Sequence, residues 1–445
     1  MKNGICIILY FVLVLEINSN FLRFLVPGSE INTFNYSTIN SNVTNQNITD
    51  SEYIALESDQ SVVYITDSNI NINHSNLIKA GASSNLDNSE FYGVNSAILI
   101  NGGRAMVDLT NISTSSEGSN GVTSTNNGEI KLSKILINST SNFSRGLLST
   151  FGGRINGINV KISTIGRSSA CLATDKGEGY ILCRYCSFLT YGVGSPIIYS
   201  TGNINVSMIN GTAFNSQIAV IEGKNSISLA GGSYLRASGN GGMNDSCGIL
   251  IYQSQPGDPN VDRSVFNCEK SNLLISSNSS VYSTAPLFFV TNTKTNISLN
   301  ECKFSYGSGI FLNASQNSHW GTLGENGADV ILNLVNQNIE GDFVVDSNSE
   351  LIINMINSTI KGKINNNKTA SSLKIVLDSN SHINLTGNSY YTSISNDDKN
   401  GSNINNDSYS LSYYDDTIDP FINDAFILNN NLFTIFILLF LILLF

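Results

Sequence analysis

The side chains able to do chemistry in this chain are few and widely spaced. Cys183-Arg-Tyr-Cys186 has the two-residue gap of a metal-binding or redox pair. A zinc centre would need a second such pair or histidines beside it, and His74, His319 and His382 are scattered. A redox dithiol would need a thioredoxin-like βαβ context, which the flanking sequence does not supply. Acid–base cleavage of a glycosidic bond would need paired carboxylates. The adjacent acids Asp397-Asp398 and Asp415-Asp416 fall in polar sequence near the C-terminus, and Arg104, Arg154 and Arg184 occur in separate segments with no acidic cluster patterned opposite them. Asp346 and Asp378 each open an Asp-Ser-Asn-Ser tetrapeptide, the composition of an Asx turn. His319-Trp320 contains the chain's single tryptophan, read as packing against a coil end in preference to stacking on a sugar. These patterns assign no catalytic, cofactor-binding or metal-binding residue, so a non-enzymatic chain without cofactor is expected.

The elements that would position these groups announce themselves as a period. Gly103, Gly128, Gly153, Gly177 and Gly202 recur in steps of about 25 residues. Alternating stretches follow them: RAMVDLTNIS from Arg104, EIKLSKILIN from Glu129, RINGINVKIS from Arg154 and NINVSMINGT from Asn203. Between these lies a second element, a small residue followed by an aliphatic run: SRGLLST (144–150), SSACLAT (168–174), SPIIYST (195–201), SQIAVIE (216–222) and SCGILIY (246–252). Alternation puts apolar side chains on one strand face. A single coil cannot bury that face, whereas stacked coils bury it and pair their backbones with both neighbours. Charged residues make up only 13% of the chain, and Asn, Ser, Thr and Gly abound, which favours turns and strands over amphipathic helices.

The expected fold is therefore all-β: a single parallel β-helix solenoid over residues 55–390. A short polar leader or cap (20–54) precedes it, and its last coils, from about 320, are narrower. After Tyr391 the sequence NDDKNGSNINNDSYS lacks an aliphatic run, so 391–423 reads as a flexible polar stalk. Glycine and asparagine are expected to supply left-handed conformations at the corners.

The two ends carry signals. Lys2 followed by the apolar run Ile5–Leu15 reads as a secretory signal peptide over residues 1–19. The chain closes on LFTIFILLFLILLF, about 21 Å as a helix and shorter than a hydrocarbon core of about 30 Å. Residues 424–445 thus read as the hydrophobic part of a GPI-anchor signal with Asn423 as attachment candidate, or alternatively as a C-terminal membrane helix. Eighteen N-x-S/T sequons occur, among them Asn35, Asn42, Asn47, Asn138, Asn205, Asn296, Asn357 and Asn384. Beyond Cys6 in the signal, Cys171, Cys183, Cys186, Cys247, Cys268 and Cys302 are disulfide candidates, an even number suited to full pairing. Cys247 and Cys268 flank the insert QSQPGDPNVDRSVFN, and a bridge there would close it. Cys183 and Cys186 would face opposite sides of a strand, so their mutual bond needs a turn or bulge; pairing with Cys171 or a neighbouring coil stands beside it. A net charge of −11 gives no electrostatic case for nucleic acid.

At these coil repeats the chain resembles right-handed parallel β-helix proteins of the pectate-lyase-like superfamily, over roughly residues 55 to 390. The stretch HWGTLGENGADVILNLVNQNIEGDFVVDSNS (319–349) resembles C-terminal coils of large microbial adhesin-like surface proteins. The superfamily's hydrolases use clustered aspartates with His and Arg-x-Lys, and its lyases use calcium on acidic residues with an Arg or Lys base. This chain has neither pattern. The resemblance implies architecture more than activity. The terminal signals and sequons, taken with the coils, lead to the expectation of a monomeric cell-surface glycoprotein, membrane-anchored at its C-terminus, for adhesion or contact with carbohydrate or surface proteins. A surface polysaccharide lyase or glycoside hydrolase, and a structural coat protein, are the alternatives.

Overall fold

The computed structural model describes residues 32–241, 245–254, 262–405 and 408–414. The segment read as a signal, Cys6, Asp415-Asp416, the residue read as an attachment candidate, Asn423, and the apolar tail lie outside the described residues.

The alternating stretches and aliphatic runs become strands of three long sheets, with 12, 14 and 10 members, in which every neighbour is the corresponding strand of the next coil. Glu129–Ser133 shows the rule in the second sheet: it pairs in parallel with Arg104–Asp108 and with Arg154–Ile158, without a register shift. Register stacks like on like. One interior column runs Ile130, Ile155, Ile181, Ile204 and Ile227, then Phe266, Ile297, Leu332, Ile353 and Ile375. All of these are fully buried. Burial of each such side chain contributes about 2 kcal/mol, which is why a chain of short strands is stable only as a stack. Towards the C-terminal half the filling becomes aromatic: Phe266, Phe288, Phe311 and Phe343 follow one another at centroid spacings of 5.4 to 5.5 Å.

The glycine ladder works differently from expectation. Its spatial members are Gly103, Gly128, Gly153, Gly179 and Gly202, each just before a second-sheet strand; Gly179, not Gly177, holds the place in register. What demands glycine there is lack of room: a Cβ on Gly153 would lie 2.1 Å from the Ser124 carbonyl oxygen, and on Gly179 2.1 Å from that of Ser149. Left-handed backbone does occur beside the ladder, at Gly102, Gly152 and Gly177 (φ 79°, 73° and 76°), and further left-handed corners fall between the second sheet and the third or four-stranded one. These further corners are occupied by Leu109, Lys134, Asn159, Tyr185, Met208, Lys270, Glu301, Asn336 and Asn357, all at φ of 46° to 56°. Left-handed backbone costs a non-glycine residue about 1–2 kcal/mol. Seven of these nine corner amides are bonded to a carbonyl of the next coil, as in Lys134 N–H to Ile158 O (3.1 Å) and Tyr185 N–H to Ser207 O (3.2 Å), and that of Asn357 is bonded to the Asp378 carboxylate.

The coil stack also extends further than the sequence suggests. Ser41–Thr44, Ile48–Thr49 and Glu52–Ala55 already form a coil inside the segment read as leader, because Val43, Ile48 and Ala55 each supply one inward apolar residue. At the other end Ser393–Asn396, Ile404–Asn405 and Leu411–Tyr413 continue pairing within the segment read as stalk. Ile394, Ile404 and Leu411 pack there against the core. The last coils are narrow, as Asn333 and Asn354 are bonded neighbours only 21 residues apart. The third sheet ends at Lys303–Ser305, and a four-stranded sheet starting at Asn338–Glu340 follows it.

Candidate functional site: a polar cluster on the outer face of the first sheet

First-sheet strands such as Val122–Thr125 and Ile249–Tyr252 are buried on both faces. That is why their sequences read as unbroken aliphatic runs and not as alternation. Inward residues join the core, and outward ones need a cover. Over the early coils the cover is the helix Leu86–Tyr92, capped by Asn85 and closed by Gly93 at φ 73°, with Tyr92 stacked between Phe34 and Phe151 (4.9 and 5.6 Å). Over the later coils it is the loop following Ile310–Ala314, whose Trp320 lies 4.5 Å from the Tyr252 ring and donates its indole N–H to Asp245 (3.1 Å). Trp320 thus packs on the flank of the stack and not on a coil end.

Between helix and loop the outer face is lined by polar groups at the ends of the aliphatic runs. Arg145 reaches Glu90 of the helix (3.3 Å) and Asp175 of the next coil (3.5 Å), with only 9% of its side chain exposed. Glu222 accepts hydrogen bonds from the hydroxyls of Tyr199 and Tyr252, the latter at 2.9 Å. Arg145 Nη1 and Thr201 Oγ1 are buried with no partner among the described residues. Burial pushes the Asp175 carboxyl up to about 6; Arg145 opposes this, while Glu90 and Glu222 add to it. Burial also raises Asp245 and, with Glu222 nearby, both tyrosine hydroxyls. The result is a nearly dry array of donors, acceptors and aromatic rings. Its carboxyl Asp175, raised to about 6 by burial, can hold or give a proton just below neutrality.

Sequence reasoning did not single out Arg145, Asp175, Tyr199, Glu222 or Tyr252. No two are adjacent in the chain, so no motif records them. The available signal was positional: aligned by register, the residue closing each run reads Thr150, Asp175, Thr201, Glu222, Tyr252.

The residues chosen from sequence are spread over other faces. Arg104, Arg154 and Arg184 lie outward on the second sheet. There Arg104 pairs with Glu129 (3.5 Å), Arg154 sits over the Tyr180 ring (5.7 Å), and Arg184 borders a shallow depression of about 810 Å³ with Lys131 and Asn156. Further along, the same face carries a ladder of amides and hydroxyls, Asn205, Ser228, Asn267, Ser298, Asn333 and Asn354. Three of its steps are hydrogen-bonded at 2.9 to 3.4 Å. His74, His319 and His382 are exposed and far apart in the fold. Asp346 makes the Asx turn, accepting from Asn348 N–H (3.1 Å) and Ser349 Oγ–H (2.6 Å). Among the sequon asparagines, Asn35, Asn42, Asn47, Asn138 and Asn357 are exposed, while Asn205, Asn296 and Asn384 are half-buried on outward strand positions.

Cys183 and Cys186 form a disulfide with each other. The strand argument against it lapses because the left-handed corner at Tyr185 turns Cys186 back towards the interior. The expected Cys247–Cys268 bridge is not made. Cys247 faces outward among Val220, Leu250 and Phe289, Cys268 faces the core, and both are free thiols, as are Cys171 and Cys302. Lys79 is fully buried, and burial lowers its amine to about 8; it donates to the Glu57 carbonyl (2.9 Å) and to that of Gly81, which makes it a corner plug. Among the described residues no group of three or more His, Cys, Asp or Glu is placed to hold a metal ion, and no helix is long and apolar enough to cross a membrane.

No family model, curated protein or solved structure matches this chain. The class this fold defines is an all-β solenoid of stacked parallel sheets, in keeping with a parallel β-helix.

Proposed function

We propose that the chain is a non-enzymatic cell-surface glycoprotein of the pectate-lyase-like β-helix type. In this reading it is exported by its N-terminal segment, tethered by its apolar C-terminus, and contacts carbohydrate or surface proteins through its flanks. The observation that carries the reading is the second-sheet ladder of Asn and Ser. It repeats similar donor–acceptor groups at each coil step of about 4.8 Å. Each such contact is weak, and a regular array of them binds a repetitive polymer by summing many. Exposed sequon asparagines off that ladder leave room for glycans. The chain acts as a monomer and takes no cofactor.

A specific observation favours a second reading. Asp175 carries a carboxyl that protonates near pH 6, with Glu222 in its electrostatic reach, which is the ingredient list for acid–base cleavage of a glycosidic bond.

The test is to pass purified protein over columns of plant, fungal and bacterial polysaccharides and to assay each polymer for new reducing ends or unsaturated products. Retention without products supports contact without chemistry. Products abolished by Asp175→Asn would replace that reading with the enzymatic one. Neither retention nor products leaves a structural coat.

A further inference from the structure

The corner between the second and third sheets carries a second pair of cysteines, arranged like the first but offset by one coil. In the first pair, Cys183 lies two residues before the corner residue Tyr185 and Cys186 one residue after it. Cys268 holds the first of these positions, before Lys270, and pairs in register with Leu299 of the next coil. Cys302 holds the second position on that next coil, just past Glu301 at φ 53°. Its sulfur turns back towards the coil below, where the neighbouring Cys268 thiol and Ser271 backbone N–H favour its ionised form, and its own S–H donates to the Asn300 carbonyl (3.5 Å). The Gln337 side chain fixes the Cys302 backbone from the other side, accepting from its N–H (2.8 Å) and donating to its carbonyl (2.7 Å). The two thiols are 2% and 5% exposed. The approach differs, however. Cys302 lines a depression of about 650 Å³ between the end of the third sheet and the four-stranded sheet, together with Lys303, Tyr306 and Lys361.

We propose that Cys302 is a thiol-modification site: it is attacked through this depression by small disulfides such as glutathione disulfide, and it then closes a disulfide with Cys268 that ties two adjacent coils. The steps balance. The Cys302 thiolate attacks one sulfur of glutathione disulfide, the sulfur–sulfur bond breaks, and one glutathione leaves as thiolate with the electron pair. Cys268 then gives up its proton and attacks the Cys302 sulfur, expelling the second glutathione. Two protein thiols are oxidised by two electrons to one disulfide, one glutathione disulfide is reduced to two thiols, and the two cysteine protons end on those thiols. The electrostatics favour this order. Burial opposes ionisation of Cys302, but the donors from Cys268 and Ser271 outweigh it and hold the thiol below its ordinary range. Cys268, more deeply buried and donating to Cys302, keeps its proton well above that range. Cys171 donates to the Leu189 and Ile162 carbonyls (3.5 and 3.8 Å), and its burial outweighs the bonds that would lower it and raises it, so it stays inert.

The experiment uses the full chain, reduced, desalted and incubated with glutathione disulfide at pH 7.5. It is then alkylated and digested without reduction, and its peptides are read by mass spectrometry. The expected result is a Cys268–Cys302 cross-link beside Cys183–Cys186, with Cys171 and Cys247 alkylated only after unfolding. Cys268→Ser should accumulate a glutathione adduct on Cys302, and Cys302→Ser should show neither cross-link nor adduct at Cys268. In the reduced native chain, iodoacetamide should label Cys302 on the order of tenfold or more faster than Cys268. Recovery of Cys268 and Cys302 as free thiols while Cys183–Cys186 has formed would overturn the proposal, and this needs no variant to fold. An adduct on Cys268 in Cys302→Ser would overturn the assigned order of attack.

Discussion

Replacing Asp175 by Asn should make this protein more stable at neutral pH although it removes an ion-pair partner. The carboxyl rises from 3.8 to about 6 because it is buried against the outer face of the first sheet, and Arg145 at 3.5 Å only partly offsets that. Between about pH 4 and 6 the native chain therefore holds a proton that the unfolded chain has released. Stability contributed by this group is complete below about pH 4, falls as the pH rises to about 6, and is flat above. A shift of this size corresponds to about 3 kcal/mol of native-state penalty at neutral pH. Asn keeps the shape without the charge, and Arg145 retains Glu90 at 3.3 Å. The expected outcome in urea denaturation, followed by circular dichroism, is near-coincident curves at pH 4 and a gain of about 2–3 kcal/mol for Asp175→Asn at pH 7.5. A difference between the two proteins that stays constant from pH 4 to 7.5 would refute the reasoning, because it would mean that Asp175 titrates alike in both states.

Three further outcomes are expected. Gly153→Ala should lower stability by about 2 kcal/mol or more, since its new Cβ meets a backbone oxygen at 2.1 Å that no rotamer can relieve; an unchanged denaturation midpoint would show that the coils can separate locally. Cys183→Ser should cost about 2 kcal/mol in the oxidised protein, the loop closed by a bond between residues three apart being short, and reductant should bring the parent to the same midpoint. Asp245→Ala should red-shift the emission of Trp320, whose indole N–H would lose its 3.1 Å acceptor; unaltered emission would mean that the loop does not hold the ring against Tyr252.

The fold was legible wherever one position sufficed to state the rule. Alternation in EIKLSKILIN marked its buried residues, though the stretch is two strands of two sheets, Glu129–Ser133 and Leu136–Ser139, and recurrence gave the stack. Capacity for chemistry was not legible, because the array around Asp175 is assembled from residues on five coils and a helix, each unremarkable in its own segment. The corners misled for a related reason: Lys134, Tyr185 and Met208 look nothing like left-handed residues, and only the hydrogen bond each makes to the next coil accounts for them. The extent of the solenoid was underestimated at both ends, since two- to four-residue strands such as Ile48–Thr49 and Ile404–Asn405 carry one inward side chain apiece and show no periodicity. The Cys183–Cys186 bond required knowing that the strand ends between them.

All of the long sheets join one coil to the next, so their hydrogen bonds lie along the axis of the stack. That orientation sets how the protein would respond to being pulled by its ends. Tension along the axis opens one coil boundary at a time instead of shearing many bonds together, and a freed coil of about 25 residues pays out roughly 85 Å of slack. A stack built this way would yield coil by coil and not all at once. A covalent clip between neighbouring coils would set the point at which the yielding stops.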